Sequence, residues 1–218
     1  MSKVKLFSYW RSSCSYRVRI ALNLKAIPHE YVTINLVKDG GEQKKDHFLK
    51  INPFGFIPSL EVNGDNNQKS IIFESLAIID YLENINPEPS LYPKDLIDRA
   101  NAIAITESIN SGIQPLQNLF VLAEIENLGG NKDQWAKQLI TKKFKSLENI
   151  MTKTAGKYCI GDTITIADVF LVPQVYNAYR YGVDMSQYPT IERVNKLLEE
   201  HEAFKAAHPS VQPDAPKQ

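Results

Sequence analysis

In this 218-residue chain, segments with strand character lie ahead of Asn86-Pro87-Glu88-Pro89, and almost everything after that break reads as helix. This division constrains the fold more than any single motif, because strands and helices bury their apolar residues with different periods. Ahead of the break, Val4-Lys5-Leu6-Phe7-Ser8-Tyr9 alternates with period two, as a strand does. A loop, Trp10-Arg11-Ser12-Ser13, leads into Val18, Ile20, Ala21, Leu22 and Leu24, whose spacing is helical. Tyr31-Val32-Thr33-Ile34 is β-branched and reads as a second strand. A polar helix is expected from Gln43 to Lys50. Ser59-Leu60-Glu61-Val62 is a third strand, and Asn63-Gly64 is a strong hairpin signal. The polar stretch Asp65 to Ser70 lengthens that turn before Ile71-Ile72-Phe73, and Glu74-Ser75 opens a helix. A strand–helix–strand unit requires parallel pairing and a hairpin requires antiparallel pairing, so the small sheet is expected to be mixed.

Beyond the break, Ala100 to Leu128, Gln134 to Met151, Thr165 to Tyr181 and Thr190 to Ala206 read as helices, an all-α arrangement. Thr165-Ile166-Ala167-Asp168 has the spacing of a capping box, with Ile164 and Val169 placed as its hydrophobic staple. The tail from Pro209 to Gln218 carries three prolines and reads as extended.

Composition excludes several classes. Lys+Arg and Asp+Glu balance at 25 each, so no basic excess is available to neutralise a nucleic-acid backbone. No apolar run reaches the roughly 18 residues of a membrane span, and the N-terminus has no signal-peptide pattern. Cys14 and Cys159 form no C-x-x-C or zinc pattern, which fits a reducing compartment, the cytosol by default. His29, His47, His201 and His208 lack metal-ligand spacing, so no metal is expected.

Ser12, Ser13 and Cys14 fall where a loop becomes a helix. Unpaired backbone N–H groups and the positive end of the helix dipole converge there and stabilise an anion. A thiol of pKa about 8.5 is only a few per cent thiolate at neutral pH. Lowering it by roughly two units needs about 2.7 kcal/mol. A hydrogen bond to a charged group contributes on the order of 1.5–3 kcal/mol and a helix terminus about 0.3–2 kcal/mol, so one hydroxyl and one helix end suffice. On the residues alone, a plain helix cap is the favoured reading of Ser12 or Ser13, and Cys14 is either a redox nucleophile or a small residue packed under the loop. No resolving cysteine lies nearby for a dithiol cycle. Tyr9 is a further candidate donor or a core aromatic.

The run Ser12-Ser13-Cys14-Ser15-Tyr16-Arg17-Val18-Arg19-Ile20-Ala21-Leu22 resembles the signature of the zeta class of glutathione transferases. Asn35 to Gln43, Glu74 to Ile79, Gly112 to Leu119 and Gln212-Pro213-Asp214 resemble further blocks of that class, in the same order along nearly the whole chain. The resemblance implies glutathione transferase architecture, with an α/β thioredoxin-like domain over residues 1–85 and an all-α domain over residues 90–210. It also implies a cytosolic homodimer. The implied chemistry is glutathione-dependent cis–trans isomerisation of maleylacetoacetate to fumarylacetoacetate, a step of phenylalanine and tyrosine catabolism. Conjugation or dehalogenation of small α-halo acids uses the same thiolate and is the alternative enzyme reading; a non-catalytic module on the same scaffold is the other.

By the same resemblance, Ser12 donates to the thiolate, with Ser13 and Cys14 completing the anion pocket and Ser15, Tyr16 and Arg17 belonging to the signature. Gln43 is expected to reach the glycine end of glutathione. Ile57, before a cis Pro58, would present its backbone to the cysteinyl part, and Glu74 and Ser75 would hold the γ-glutamyl end. Gln114 and Asn118 would contribute from the helical domain. Arg180 lies where the class places an arginine facing the substrate; a guanidinium suits a ligand with two carboxylates, although base rates alone make it a surface charge. Glu74 stands where glutamine is common and Tyr16 where tryptophan is common.

Overall fold

The computed structural model describes residues 4–64 and 68–217. Residues 65–67 of the expected polar turn lie outside these. The chain forms two compact units, Met1–Pro89 together with Glu202–Gln218, and Ser90–His201.

In the first unit, β1 (Val4–Ser8) leads into α1 (Ser13–Leu24), and β2 (His29–Thr33) returns parallel to β1 with Val4 opposite His29 and Ser8 opposite Thr33. The stretch expected as one polar helix holds a 3₁₀ turn, Glu42–Lys44, and α2 (Asp46–Leu49), because Lys45 is extended (φ −85°, ψ 149°) and separates them. The single helix expected from Gln43 to Lys50 is therefore interrupted. β3 (Ser59–Asn63) pairs antiparallel with both β1 and β4 (Lys69–Phe73), giving the order β2-β1-β3-β4 and a mixed sheet. α3 (Ser75–Ile85) closes the run. Leu6 and Leu60 of the sheet, Val18, Ile20 and Leu22 of α1, and Ile78, Ile79 and Leu82 of α3 are fully buried.

In the second unit, α4 (Leu96–Asn110), α5 (Leu119–Asn127), α6 (Lys132–Thr154), α7 (Ile166–Arg180) and α8 (Pro189–Glu199) form a helical bundle with Ile105, Ile109, Ile140, Phe144, Val169 and Val194 in its core. The continuous helix expected from Ala100 to Leu128 is two helices. Between them, a Cβ on Gly112 would stand 2.6 Å from the Ser108 carbonyl oxygen, an approach only glycine permits. Pro115, which has no N–H to donate, sits in a 3₁₀ turn, Gln114–Gln117. Thr165 and Asp168 form the capping box read from the sequence.

The last expected helix also divides. α8 ends at Glu199, and α9 (Glu202–Ala207) falls in the first compact unit. The Asn23 side chain donates to the Ala203 carbonyl at 3.0 Å, and Arg19 Nε donates to the Ala207 carbonyl at 3.0 Å. The tail is not simply extended. It opens with a 3₁₀ turn, Pro209–Val211, and Gln212 Nε2 donates to the carbonyls of Ala206 (3.0 Å) and His208 (2.9 Å).

Candidate functional site

Ser12 is the N-cap of α1. Its backbone is extended (φ −69°, ψ 118°), and its hydroxyl oxygen accepts the Ser15 N–H at 3.2 Å. A hydroxyl has two lone pairs and one proton, so accepting from Ser15 leaves the proton available to a ligand. Capping and donating are thus compatible roles, although the sequence set them as alternatives. Ser13, Ser15, Tyr16 and Arg17 are buried, whereas Ser12 and Cys14 are half-buried.

Burial pushes the Cys14 thiol above its ordinary value; the Arg17 guanidinium pulls it down, Glu74 adds to the rise, and a hydrogen bond with Ser13 lowers it. Because the thiolate is the reactive form, the raised pKa makes Cys14 a weaker nucleophile than a free cysteine. In glutathione-free protein, alkylation of Cys14 by iodoacetamide at neutral pH should be slower than that of a free cysteine and should speed up as pH rises. Mass spectrometry of the alkylated peptide measures it; reaction faster than the free amino acid would reverse the assignment.

Arg17 joins α1 to α3, its Nη1 donating to Ser75 Oγ at 3.1 Å. Ser75 is buried and opens α3, whose first turn receives no hydrogen bond from the Glu74 side chain. The leading N–H groups of that helix are oriented to take a carboxylate. Glu74 holds φ 70° and ψ 124°, a conformation that non-glycine residues rarely adopt and that costs of order 1–3 kcal/mol. Its side chain is exposed. Ser12 to Arg17 and Glu74 to Ser75 therefore converge on two helix N-termini of one unit.

Gln43 and Ile57 lie on loops of the same unit. The Gln43 amide covers Gly41, where a Cβ would fall 2.6 Å from both amide heavy atoms, and Gly41 takes φ 102°. Gln43 Oε1 is buried with no hydrogen-bond partner in the protein, an arrangement that costs about 1–3 kcal/mol unless a ligand or water restores a bond. The Ile57–Pro58 peptide is cis. Asn52 braces the loop before it, its Nδ2 donating to the Phe56 carbonyl at 2.8 Å and its Oδ1 accepting the Phe54 N–H at 3.1 Å. A Cβ on Gly55 would lie 3.0 Å from the Gln43 carbonyl oxygen, so the two loops pack backbone to backbone.

Gln114, Asn118 and Arg180 belong to the second unit. Gln114 and Asn118 are half-buried at either end of the turn before α5. Arg180 is exposed at the end of α7, its guanidinium 5.0 Å from the centroid of the Tyr181 ring. Among the described residues, no cluster of His, Cys, Asp or Glu is placed to hold a metal ion, and no helix is long and apolar enough to cross a membrane.

Sequence reasoning gave no role to Arg19 or Asp214, yet both hold the turn that carries Ser12. Arg19 is buried and donates to the Tyr9 carbonyl (3.3 Å), the Ser8 hydroxyl (3.3 Å) and the Trp10 carbonyl (3.0 Å). Asp214 accepts from the Trp10 N–H and the Tyr31 hydroxyl. A buried arginine and a carboxylate in a C-terminal tail are signals that only a three-dimensional arrangement connects.

A β-α-β unit, a hairpin and a helix whose N-terminus joins the first helix through arginine, followed by a helical unit, define the glutathione transferase class of architecture. Residues 11–85 match the family model of the glutathione S-transferase N-terminal domain, and residues 120–212 that of the C-terminal domain. The chain is 51% identical over 211 residues to the maleylacetoacetate isomerase of Mus musculus, covering 97% of this chain and 94% of that one. It is 46% identical over 217 residues to glutathione S-transferase Z1 of Arabidopsis thaliana, covering 98% and 95%. Among solved structures, the maleylacetoacetate isomerase of Anaeromyxobacter dehalogenans with bound GSH in its active site matches with a TM-score of 0.89 at 41% identity, covering 98% of each chain. The chain belongs to the glutathione S-transferase family, in its zeta class with the maleylacetoacetate isomerases.

Proposed function

We propose that this protein is a glutathione-dependent isomerase converting maleylacetoacetate to fumarylacetoacetate, and that the N-terminus of α1 holds the sulfur of glutathione as an anion. The observation that carries this reading is Ser12, an N-cap whose hydroxyl proton remains available above the first turn of a buried helix. The donor set fits the tripeptide along its length. The Ser12 hydroxyl and the α1 terminus suit a thiolate, and Ser75 with the α3 terminus suits the γ-glutamyl carboxylate. Exposed Glu74 suits the ammonium, and Gln43 offers a buried, partnerless amide oxygen that a polar ligand would satisfy. Ser13, Ser15 and Tyr16 build the first turn of α1, and the Ile57 backbone precedes β3.

When bound, glutathione supplies a sulfur nucleophile whose reversible conjugate addition makes the substrate's cis double bond single, so that it can rotate before the sulfur departs. Ser12 stabilises the anionic form of that sulfur and again as it leaves. Arg17 fixes the Ser75 hydroxyl and thereby the second anchor. Gln114 and Asn118 are assigned to the ligand from the helical unit, and Arg180 to a substrate carboxylate; exposure and full charge support that role for Arg180. The protein is further proposed to be a cytosolic homodimer, supported by exposed apolar side chains in each unit, Phe54 and Phe73 in the first and Leu96 and Ile97 in the second.

The test is isomerisation of maleylacetoacetate with and without added glutathione, beside turnover of dichloroacetate. Isomerisation that requires glutathione but does not consume it is the expected result. A much better rate on the halo acid would make dehalogenation the main task, and glutathione binding with neither activity would make the protein a non-catalytic module.

A further inference from the structure

The turn between β1 and α1 must keep its shape if the Ser12 hydroxyl and the helix terminus are to face one ligand atom. Its backbone is held from two sides. On the inner side Arg19, buried within α1, donates to the carbonyls of Tyr9 and Trp10, and Ser12 N–H donates to the Tyr9 carbonyl at 3.0 Å. On the outer side the Trp10 N–H, which has no partner in the sheet, donates to Asp214 Oδ2 at 3.0 Å across 204 residues of sequence. The other oxygen of the same carboxylate accepts the Tyr31 hydroxyl of β2 at 2.7 Å.

The tail that delivers Asp214 is itself tied down. Arg19 Nε reaches the Ala207 carbonyl, the His208 ring stands edge-on to buried Tyr16 of α1 at 6.1 Å, and Gln212 folds the chain back on Ala206 and His208. Ala215 N–H donates to the Gln212 carbonyl at 3.0 Å, setting Asp214 within a turn. One guanidinium thus bridges the site turn and the start of the tail, and one carboxylate bridges the end of the tail and the site turn.

We propose that Asp214 is a positioning residue for the reaction: the C-terminal segment straps the β1–α1 turn through the Trp10 N–H and the Tyr31 hydroxyl, and so fixes where Ser12 and the α1 N-terminus aim. This rests on the reading of Ser12 as the thiolate donor. A carboxylate is suited to the task because its two oxygens accept both hydrogen bonds at once, and charge-assisted bonds are shorter and stronger than neutral ones. Alanine at 214 leaves the Trp10 N–H without its acceptor and lets the turn shift, and a misplacement of about 1 Å costs up to roughly a hundredfold in rate.

The experiment measures three quantities in the full-length protein: hydrogen exchange of the Trp10 amide by NMR, the titration midpoint of bound glutathione from its thiolate absorbance, and kcat with the KM for glutathione. In Asp214→Ala, Trp10 exchange is expected to rise at least tenfold, the midpoint to move up, and kcat to fall roughly tenfold with KM little changed. Asp214→Asn should recover most of this, since its amide oxygen can accept from Trp10 while its NH₂ donates to the Tyr31 oxygen. Tyr31→Phe, which removes one partner of the carboxylate and leaves the tail intact, should show a smaller change in the same direction and serves if the alanine variant does not fold. Wild-type exchange and midpoint in the variants, or a loss of kcat that merely follows the folded fraction, would overturn the proposal. A wild-type protein whose bound glutathione titrates like the free tripeptide would sink the thiolate reading instead, and the Trp10 exchange would still decide the strap.

Discussion

Replacing Ser12 by alanine is expected to lower kcat about ten- to a hundredfold while changing the affinity for glutathione only a few fold. A hydrogen bond to a charged group is worth on the order of 1.5–3 kcal/mol, and each 1.36 kcal/mol is a factor of about ten in rate. The groups proposed as the anchors of glutathione, Ser75 with the α3 terminus, Glu74 and Gln43, are untouched by the change. Alanine also removes the N-cap acceptor of the Ser15 N–H, which destabilises by about 0.5–2 kcal/mol. Glycine at position 12 separates the effects, since it restores most of the cap energy but supplies no hydroxyl. Cys14→Ala should retain most of the activity, because the reacting sulfur belongs to glutathione. Steady-state kinetics on the three variants checks the order; a dead Cys14→Ala beside an active Ser12→Ala would exchange their roles.

The second large effect concerns stability. Asp168 is fully buried in the helical unit, and its carboxylate accepts the Cys159 N–H at 2.9 Å, the Thr165 N–H at 2.7 Å and the Thr165 hydroxyl at 3.0 Å. Burial pushes its pKa up, while these bonds hold it down. Asp168→Ala strands two buried backbone donors, each costing about 1–3 kcal/mol, so a loss of roughly 3–5 kcal/mol is expected. That is a large share of the 5–15 kcal/mol that stabilises a typical domain. Urea unfolding followed by circular dichroism measures it, and a loss below about 1 kcal/mol would mean that water replaces the carboxylate.

The sheet was legible because period-two alternation in Val4 to Tyr9, the hairpin signal that follows Ser59 to Val62 and the β-branched run at Tyr31 each act locally. The Thr165 capping box was legible for the same reason. The Gln43 to Lys50 segment was not, since its break is a backbone choice at Lys45 that no proline or glycine announces. Gly112 and Pro115 were visible as letters, but apolar periodicity on both sides outweighed them. The placement of α9 was hidden more deeply. Its buried Ala203, Phe204 and Ala207 show the same pattern whichever unit they pack against. In the candidate site, Ser12 and Ser75 were read at two helix starts, but the Arg17–Ser75 bond that joins those helices spans 58 residues. Arg19 and Asp214 lie in the blocks that resemble the zeta class but were given no role, and only the folded tail shows their partners.

The ionisation state of the bound sulfur is the central question, and ultraviolet titration of glutathione on the wild-type protein reads it directly. A midpoint at least one unit below the free thiol's pKa of about 8.5, shifted back upward in Ser12→Ala, is the predicted result. A midpoint equal to that of free glutathione, unchanged by the substitution, would contradict it.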